Sequence, residues 1–450
     1  MRPFLKAVGE SFLRHKFIRP PNRTYLSGSF TCDETWESRL NHKIFQQVNV
    51  ESMYYELDGS YNRTKRLAAV DVDVFVNAQK DDSFFTEVEE LLYKLRLTAE
   101  ACSTLPTTHH ATIRLFLKHE RIEDLIRILY DRLNYGIFPD YYCTLLLLDY
   151  LLKKGDFRHA AKIGALDMFQ EDYSHELVRH MSLFAIHKYL LTDQVWDDPL
   201  PPPVENEDEE EIKVRVLWVQ NSWFDNHFDL VDGNHICGKS LLMISSKLEG
   251  PIRQSYRLMG LALYNLWDKL EAELVNLISR VKNQSDPILY ADALEFTRNF
   301  VKENLTDSEK QSKITELLNQ IDSKSCIQEN LLTTVENEMK NLIEKCEKNE
   351  IHAQEKLYKD WEKLREDTLA AFLAEMDKRR RLEEVNRKKL ELKEQEELMY
   401  FFENEDEIDK VVEKKERKLR RPQSRLSTQE LEDTYVPPEV RRRTTGNTGE

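Results

Sequence analysis

The chain has 450 residues, of which 40% are hydrophobic and 32% charged, and this length allows two or three units with their own cores. Only 12 glycines argue against β-sandwiches and Gly-rich nucleotide folds, so the expected class is all-α. A net charge of −16 argues against a surface that binds nucleic acid throughout, although local basic patches remain compatible with it. The six cysteines form no C-x-x-C pair, as is typical of reduced thiols, and no apolar run reaches the roughly 18 residues of a membrane helix.

Residues 1–25 are basic and amphipathic. They contain six lysines or arginines against one acid, Glu10, and their apolar residues recur at helical spacing. An Arg-rich, acid-poor amphipathic segment is typical of a mitochondrial transit peptide. We therefore expect a transit peptide at 1–25 and a mitochondrial matrix location. A basic arm that stays on the mature protein is the alternative.

Residues 26–64 show weak periodicity and predict an irregular lead-in, whereas residues 65–192 carry helical repeats. The segments 106–140 and 141–175 superpose at an offset of 35 residues, with Lys118 matching Lys153. A fixed period of this size predicts a solenoid of stacked helix pairs.

The rest of the chain changes character several times. A stretch rich in acids and prolines predicts a loop, and a segment without Gly or Pro predicts one long charged helix, which either forms a coiled coil or packs on a partner. The expected order is an acidic Pro-rich loop at 193–213, further helical repeats at 214–302, a polar linker at 303–330, the long helix at 331–419 and a disordered tail at 420–450.

One segment matches the phosphate-binding pattern G-x-x-x-x-G-K-[ST] at Gly233 to Ser240. A working loop of this kind follows a buried strand, and the preceding Phe228 to Val231 is too short and too acidic to be one. We expect a Gly-bounded loop that leads into a helix and binds no nucleotide. An NTPase is therefore the least favoured hypothesis.

The stretch from Asp225 to Cys237, which overlaps this segment, is rich in side chains that could ligate a metal. Their spacing does not match a zinc site, and such residues before a helix more often cap it. There is also no G-x-S-x-G motif. The sequence therefore predicts no metal, no cofactor, no small-molecule substrate and no catalytic residue. The potential ligands are Asp225, His227, Asp229, Asp232, His235 and Cys237.

Basic side chains on the two clear repeats are the candidates for RNA contact, because lysine and arginine neutralise phosphates. Nearby acids balance many of them. The candidate RNA-binding residues are Arg114, Lys118, Arg121, Lys153, Lys154 and Arg158.

The repeats resemble the pentatricopeptide family, whose closing Gly-x-x-Pro-Asp is present from Gly136 to Asp140. The family reads single-stranded RNA one base at a time, using a polar side chain five residues into the first helix of each pair. That position holds Leu145 in one repeat and His110 in the repeat before it. Leucine cannot hydrogen-bond a base edge, so a base-reading code is not expected.

An ordered set of landmarks narrows the resemblance to the degenerate pentatricopeptide proteins of the mitochondrial small ribosomal subunit. The landmarks include Tyr25-Leu26, the segment from Phe224 to Asp229, and Trp361. The resemblance implies a non-catalytic ribosomal protein that contacts ribosomal RNA and neighbouring ribosomal proteins and supports mitochondrial translation. The alternative is a free pentatricopeptide factor for the processing or translation of mitochondrial transcripts.

Overall fold

A computed structural model describes residues 25–192, 195–197, 227–283, 287–321 and 326–419, and these are almost entirely α-helical. The all-α prediction is therefore confirmed. The predicted transit peptide (apart from Tyr25), most of the acidic loop and the predicted disordered tail lie outside the described residues. No described helix is long and apolar enough to cross a membrane.

The lead-in is helical, which differs from the irregular structure that we expected. Its longest helix has Asn49 as N-cap, whose side chain accepts a hydrogen bond from Ser52 N. The apolar stripe of this helix consists of a few residues among many polar ones, so its periodicity is weak in the sequence. The lead-in helices are α1 Asp33–Ser38, α2 Lys43–Gln47 and α3 Val50–Thr64.

Within the described residues, six helix pairs follow and form two rows. The first helices are α4 Ala69–Ala78, α6 Pro106–Lys118, α8 Tyr141–Lys154, α10 Glu176–Leu190, α12 Gly250–Leu263 and α14 Ala291–Asn304. The second helices are α5 Phe85–Arg96, α7 Ile122–Tyr130, α9 Phe157–Phe169, α11 Gly233–Ser246, α13 Trp267–Asn283 and α15 Ser308–Gln320. In the first row α4, α6, α8 and α10 contact one another in succession and α12 contacts α14. In the second row α7, α9 and α11 do the same and α13 contacts α15, as in a solenoid.

Turn chemistry explains where the repeat helices begin and end. Gly136 and Gly155 have φ of 63° and 76°, a left-handed backbone that glycine adopts without a steric penalty, and they lie before and after α8. Asp140 caps α8 because its Oδ1 accepts a hydrogen bond from Cys143 N at 2.7 Å. The Gly-x-x-Pro-Asp sequence therefore ends one pair and starts the next.

The structure differs from the sequence-based partition at two further places. The predicted acidic loop lies between α10 and α11, so it separates the two helices of one pair. The predicted linker at 303–330 contains α15, whose short apolar stripe buries Ile314 and Leu318 and was hidden by its polar neighbours. A two-stranded parallel sheet joins β1 Leu289–Tyr290 to β2 Cys326–Ile327, with Leu289 opposite Cys326.

The predicted single helix at 331–419 is two helices, α16 Leu331–Glu403 and α17 Glu405–Leu419. Asn404 separates them: its side chain donates to Tyr400 O, and three acids follow in the first turn of α17, where they favour a helix start. The chain divides into two compact units, residues 1–368 and 369–450. The first unit contains the helix pairs and the first half of α16.

Candidate nucleic-acid interface

Four of the six candidate RNA-binding residues form salt bridges with acids from other segments of the first unit. Lys154 Nζ lies 3.0 Å from Glu120 Oε2, and Arg158 Nη2 lies 3.5 Å from Glu123 Oε1, in each case one repeat earlier. The other two pairs are Lys118 with Glu37 at 3.0 Å and Arg114 with Asp33 at 3.1 Å. These side chains therefore brace neighbouring elements of the solenoid.

Arg114 differs from the others because it is buried. Its guanidinium donates to Thr31 O, to Tyr358 Oη at 3.0 Å and to His110 Nε2 at 3.0 Å. Its side chain is 8% exposed. This residue holds the lead-in, α6 and α16 together, and we assign it no direct RNA contact.

The two remaining candidates are exposed and differ in their surroundings. Arg121 lies 3.6 Å from Asp124, and its guanidinium is 4.7 Å from the Phe85 ring centroid. Lys153, near the end of α8, forms no salt bridge within the described residues. Among the candidates, Lys153 has the charge that is most accessible to a phosphate.

The fifth residues of successive first helices form a row. In the first four pairs these residues are Asp73, His110, Leu145 and His180, and all four are buried. In pentatricopeptide proteins this position faces the RNA. The structure therefore places the positions that read bases in pentatricopeptide proteins on one face, which we call the first-helix face.

The first half of α16 covers the first-helix face. Arg365 Nε lies 2.6 Å from Asp73 Oδ2, and Tyr358 Oη lies 3.0 Å from His110 Nε2. Further back on α16, Glu338 lies 3.8 Å from His180 Nε2. Residues near the end of this half of α16 thus contact helix pairs that come early in the chain. The helix therefore runs along the row of first helices in the direction opposite to chain order.

Helix geometry explains why Arg365 and Tyr358 contact the first helices of two neighbouring pairs, α4 and α6. Tyr358 and Arg365 are seven residues apart, which is about 10 Å along an α-helix. Packed helices are about 8–10 Å apart, so consecutive contacts on α16 meet consecutive first helices. Apolar packing holds α16 in place, since Leu331, Val335 and Trp361 are buried against the repeats.

The lead-in packs against the same face. Trp36 lies 4.8 Å from His110 and 5.3 Å from Tyr358, measured between ring centroids. Near its beginning, Asp149 Oδ1 of α8 accepts hydrogen bonds from the backbone of Tyr25 and Leu26 at 2.9 and 3.0 Å. Two segments of this chain therefore occupy the face on which a pentatricopeptide protein would hold RNA.

Two buried polar groups on the first-helix face, Asp73 and His110, are paired. Asp73 also accepts hydrogen bonds from Thr107 and from Thr108 Oγ1, so its carboxylate has several donors in addition to Arg365. Burial lowers the pKa of His110, which keeps the imidazole neutral. A neutral imidazole can accept hydrogen bonds from Arg114 and Tyr358 through Nε2.

His110, Asp140 and Cys143 place potential ligand atoms within 4.8 Å of one another, as a metal site would require. The hydrogen bonds of His110 Nε2 assign the ring proton to Nδ1, the atom that faces Cys143 Sγ at 3.1 Å. Burial raises the pKa of the Cys143 thiol, which keeps it protonated. A metal could bind here only by displacing both protons, so we interpret the cluster, as it stands, as a hydrogen-bonded part of the core.

The Gly233 to Ser240 segment forms the first turns of α11, not the loop that we expected before the helix. Asp232 caps this helix by accepting a hydrogen bond from His235 N at 3.0 Å. Gly238 provides close packing, because a Cβ there would lie 2.7 Å from Tyr264 N. A helical backbone cannot wrap phosphates as a P-loop does, so this geometry argues against nucleotide binding.

Sequence reasoning missed the residues that close the first-helix face. His180 could have been found by extending the 35-residue period forward from Leu145, whereas the same step back from His110 leads to Phe75 and not to Asp73. The contacts of Tyr358 and Arg365 could not have been found in this way, because the sequence does not show which partner a charged helix packs against.

A model of the family described as mitochondrial 28S ribosomal protein S27 matches residues 5–394. The matched region includes all six helix pairs. It also includes α16 as far as Glu394, and therefore every residue of the first-helix face and its cover.

Proposed function

The chain belongs to the mitochondrial 28S ribosomal protein S27 family, and from this premise we propose that it is a structural, non-catalytic component of the small ribosomal subunit in the mitochondrial matrix. It binds ribosomal RNA by shape and charge, contacts neighbouring ribosomal proteins and supports mitochondrial translation. The family assignment itself makes the chain a protein of the mitochondrial small ribosomal subunit.

The observation that carries the RNA-binding mode is the cover on the first-helix face. Asp73, His110 and His180 already contact α16, and Leu145 is buried and apolar. A base could reach these positions only if α16 left, which would expose apolar surface and leave the Asp73 carboxylate without its counter-charge. RNA is therefore contacted from the outer surfaces, through exposed cations such as Lys153.

The net charge agrees with a protein that has many protein neighbours. A chain with a net charge of −16 cannot present a basic surface throughout, so its RNA contacts are local. The remaining surface is available to neighbouring ribosomal proteins.

Density-gradient sedimentation of a mitochondrial lysate tests this function. We expect the chain to migrate with the small subunit while magnesium keeps the ribosomes intact. After magnesium chelation and nuclease treatment it should move to lighter fractions. Sedimentation at the top of the gradient under all conditions would contradict the proposal and favour a free pentatricopeptide factor.

The mode of RNA binding has a separate test. The purified chain is titrated with a panel of short single-stranded RNAs that differ only in sequence, and we expect affinities that agree within a few-fold. A preference of about 10³-fold or more for one sequence would indicate base reading and would overturn the proposed mode.

A further inference from the structure

The second unit contains a strongly basic stretch in a chain of net negative charge. Between Lys378 and Lys393, eight residues are basic and three are acidic. All of this stretch lies within α16, and every side chain in it is exposed. The stretch follows the part of α16 that covers the first-helix face.

Four of the eight cations form salt bridges along the helix. The pairs are Arg379 with Glu375, Arg380 with Asp377, Arg387 with Glu391, and Lys393 with Glu397, at 3.1–3.8 Å. Within the described residues, the other four form no salt bridge. They are Lys378, Arg381, Lys388 and Lys389.

The four unpaired cations lie on one side of the helix. At 3.6 residues per turn they occupy an arc of about 100°, and they span about 16 Å along the axis. The three acids of the stretch, Glu383, Glu384 and Glu391, point about 90° or more away from the centre of this arc. We call the four residues Lys378, Arg381, Lys388 and Lys389 the cationic face.

We propose that the cationic face binds the phosphate backbone of ribosomal RNA. Four unneutralised cations within about 16 Å form a concentrated positive charge that suits a polyanion. This inference rests on the proposed ribosomal function and adds to it a specific RNA-binding surface. It places that surface in the part of α16 that belongs to the second unit, whereas the sequence pattern alone pointed to the repeats.

A helical protein partner fits this stretch less well. Leu382, Val385 and Leu392 follow heptad spacing, but the next positions of the same seam hold Lys389 and Glu396. A seam with charges at these positions cannot bury a continuous apolar stripe against another helix. The exposed cations are therefore better matched to phosphates than to an apolar groove.

The test compares two variants of the full-length chain that carry the same change in charge. One has glutamine at the four positions of the cationic face, and the other has glutamine at the four paired cations Arg379, Arg380, Arg387 and Lys393. Glutamine keeps helix propensity close to that of lysine and arginine, and circular dichroism checks that both variants remain helical. The probe is small-subunit mitochondrial ribosomal RNA made by transcription in vitro, titrated between 50 and 200 mM salt.

We expect the cationic-face variant to bind more weakly and to lower the slope of log affinity against log salt by about 3, which corresponds to four lost phosphate contacts. The control variant should change the slope by less than about 1. Equal effects of the two variants, no effect of the first, or no binding by the unmodified chain would overturn the proposal. Photocrosslinks from position 388 or 389 to a protein alone within intact small subunits would also overturn it.

Sedimentation separates this inference from the proposed function. If the unmodified chain migrates with the small subunit while the salt slopes of the two variants agree, the RNA-binding role of the cationic face is wrong and the proposed function is unaffected. If the unmodified chain never migrates with the small subunit, the proposed function fails as well.

Discussion

Arg365 is the residue through which α16 closes the first-helix face at α4. Its side chain is 3% exposed and pairs with Asp73, which is fully buried. Removing one partner of a buried pair leaves an uncompensated charge, whereas replacing both can be nearly neutral. The pair is therefore expected to secure the register of α16 on the repeats more than it adds to net stability.

We predict that Arg365→Ala lowers the free energy of unfolding by about 3–5 kcal/mol and that adding Asp73→Asn recovers a large part of this loss. Urea unfolding followed by circular dichroism measures both. Arg379→Ala is the control, because its pair with Glu375 is exposed and should contribute little. Similar losses for Arg365→Ala and Arg379→Ala would show that α16 is not fixed at this point.

Gly238 is the second informative residue. Together with Gly260 it allows α11 and α12 to approach closely, since a Cβ on Gly260 would lie 2.9 Å from Gly238 O. We predict that Gly238→Ala lowers the melting temperature by several degrees, because backbone would have to move to make room.

The matched control for Gly238 is Gly59 of α3, where an added Cβ would meet nothing within 4 Å. Gly59→Ala should raise stability by roughly 0.5–1 kcal/mol, as expected for alanine in a helix. Nucleotide binding that is lost in Gly238→Ala while the fold is retained would revive the phosphate-loop hypothesis and contradict our interpretation.

At the scale of elements, the two halves of α16 have different roles. Residues 331–368 belong to the unit of helix pairs, where they bury Val335, Met339 and Trp361, whereas residues beyond 368 belong to the second unit. Each large apolar side chain that is fully buried contributes about 1.5–3 kcal/mol. The first half is therefore part of the solenoid core.

Two truncations test this difference. A chain that ends at residue 368 should keep the melting temperature of the full chain within a few degrees. A chain that ends at residue 330 should melt well below it and bind a dye that reports exposed apolar surface, because the first-helix face loses its cover. If both truncations melt alike, α16 is not part of the solenoid core.

The elements also show how far sequence reasoning extends. The 35-residue period and the Gly-x-x-Pro-Asp sequence predicted the helix pairs, because these signals are local. The helices α3 and α15 were missed, since their stripes are short and surrounded by polar residues. The position of α16 was not predictable, because its contacts through Tyr358 and Arg365 join residues more than 200 positions apart.

The candidate RNA contacts show, at the level of single side chains, that the sequence does not reveal contact partners. Their positive charge was evident from the sequence, but their partners were not. Lys154 and Arg158 pair with acids one repeat away, and Arg114 is buried. A single sequence shows which residues carry charge but not which charges the fold has neutralised.

At the scale of the whole molecule, the chain is a pentatricopeptide-like solenoid whose first-helix face is filled by its own segments. This arrangement preserves the rigid row of helix pairs and removes the groove in which bases would be read. In the proposed mode RNA is contacted from the outer surfaces, where Lys153 and the cationic face carry unpaired charge within the described residues.

Ultraviolet crosslinking of intact mitochondrial small subunits, followed by mass spectrometry of the peptides joined to RNA, tests most directly where RNA touches the chain. We expect crosslinks near Lys153 or between residues 378 and 393, and none at the fifth positions of the first four pairs. Crosslinks at His110 or His180 would contradict this expectation, because they would mean that α16 leaves the first-helix face and that RNA occupies it.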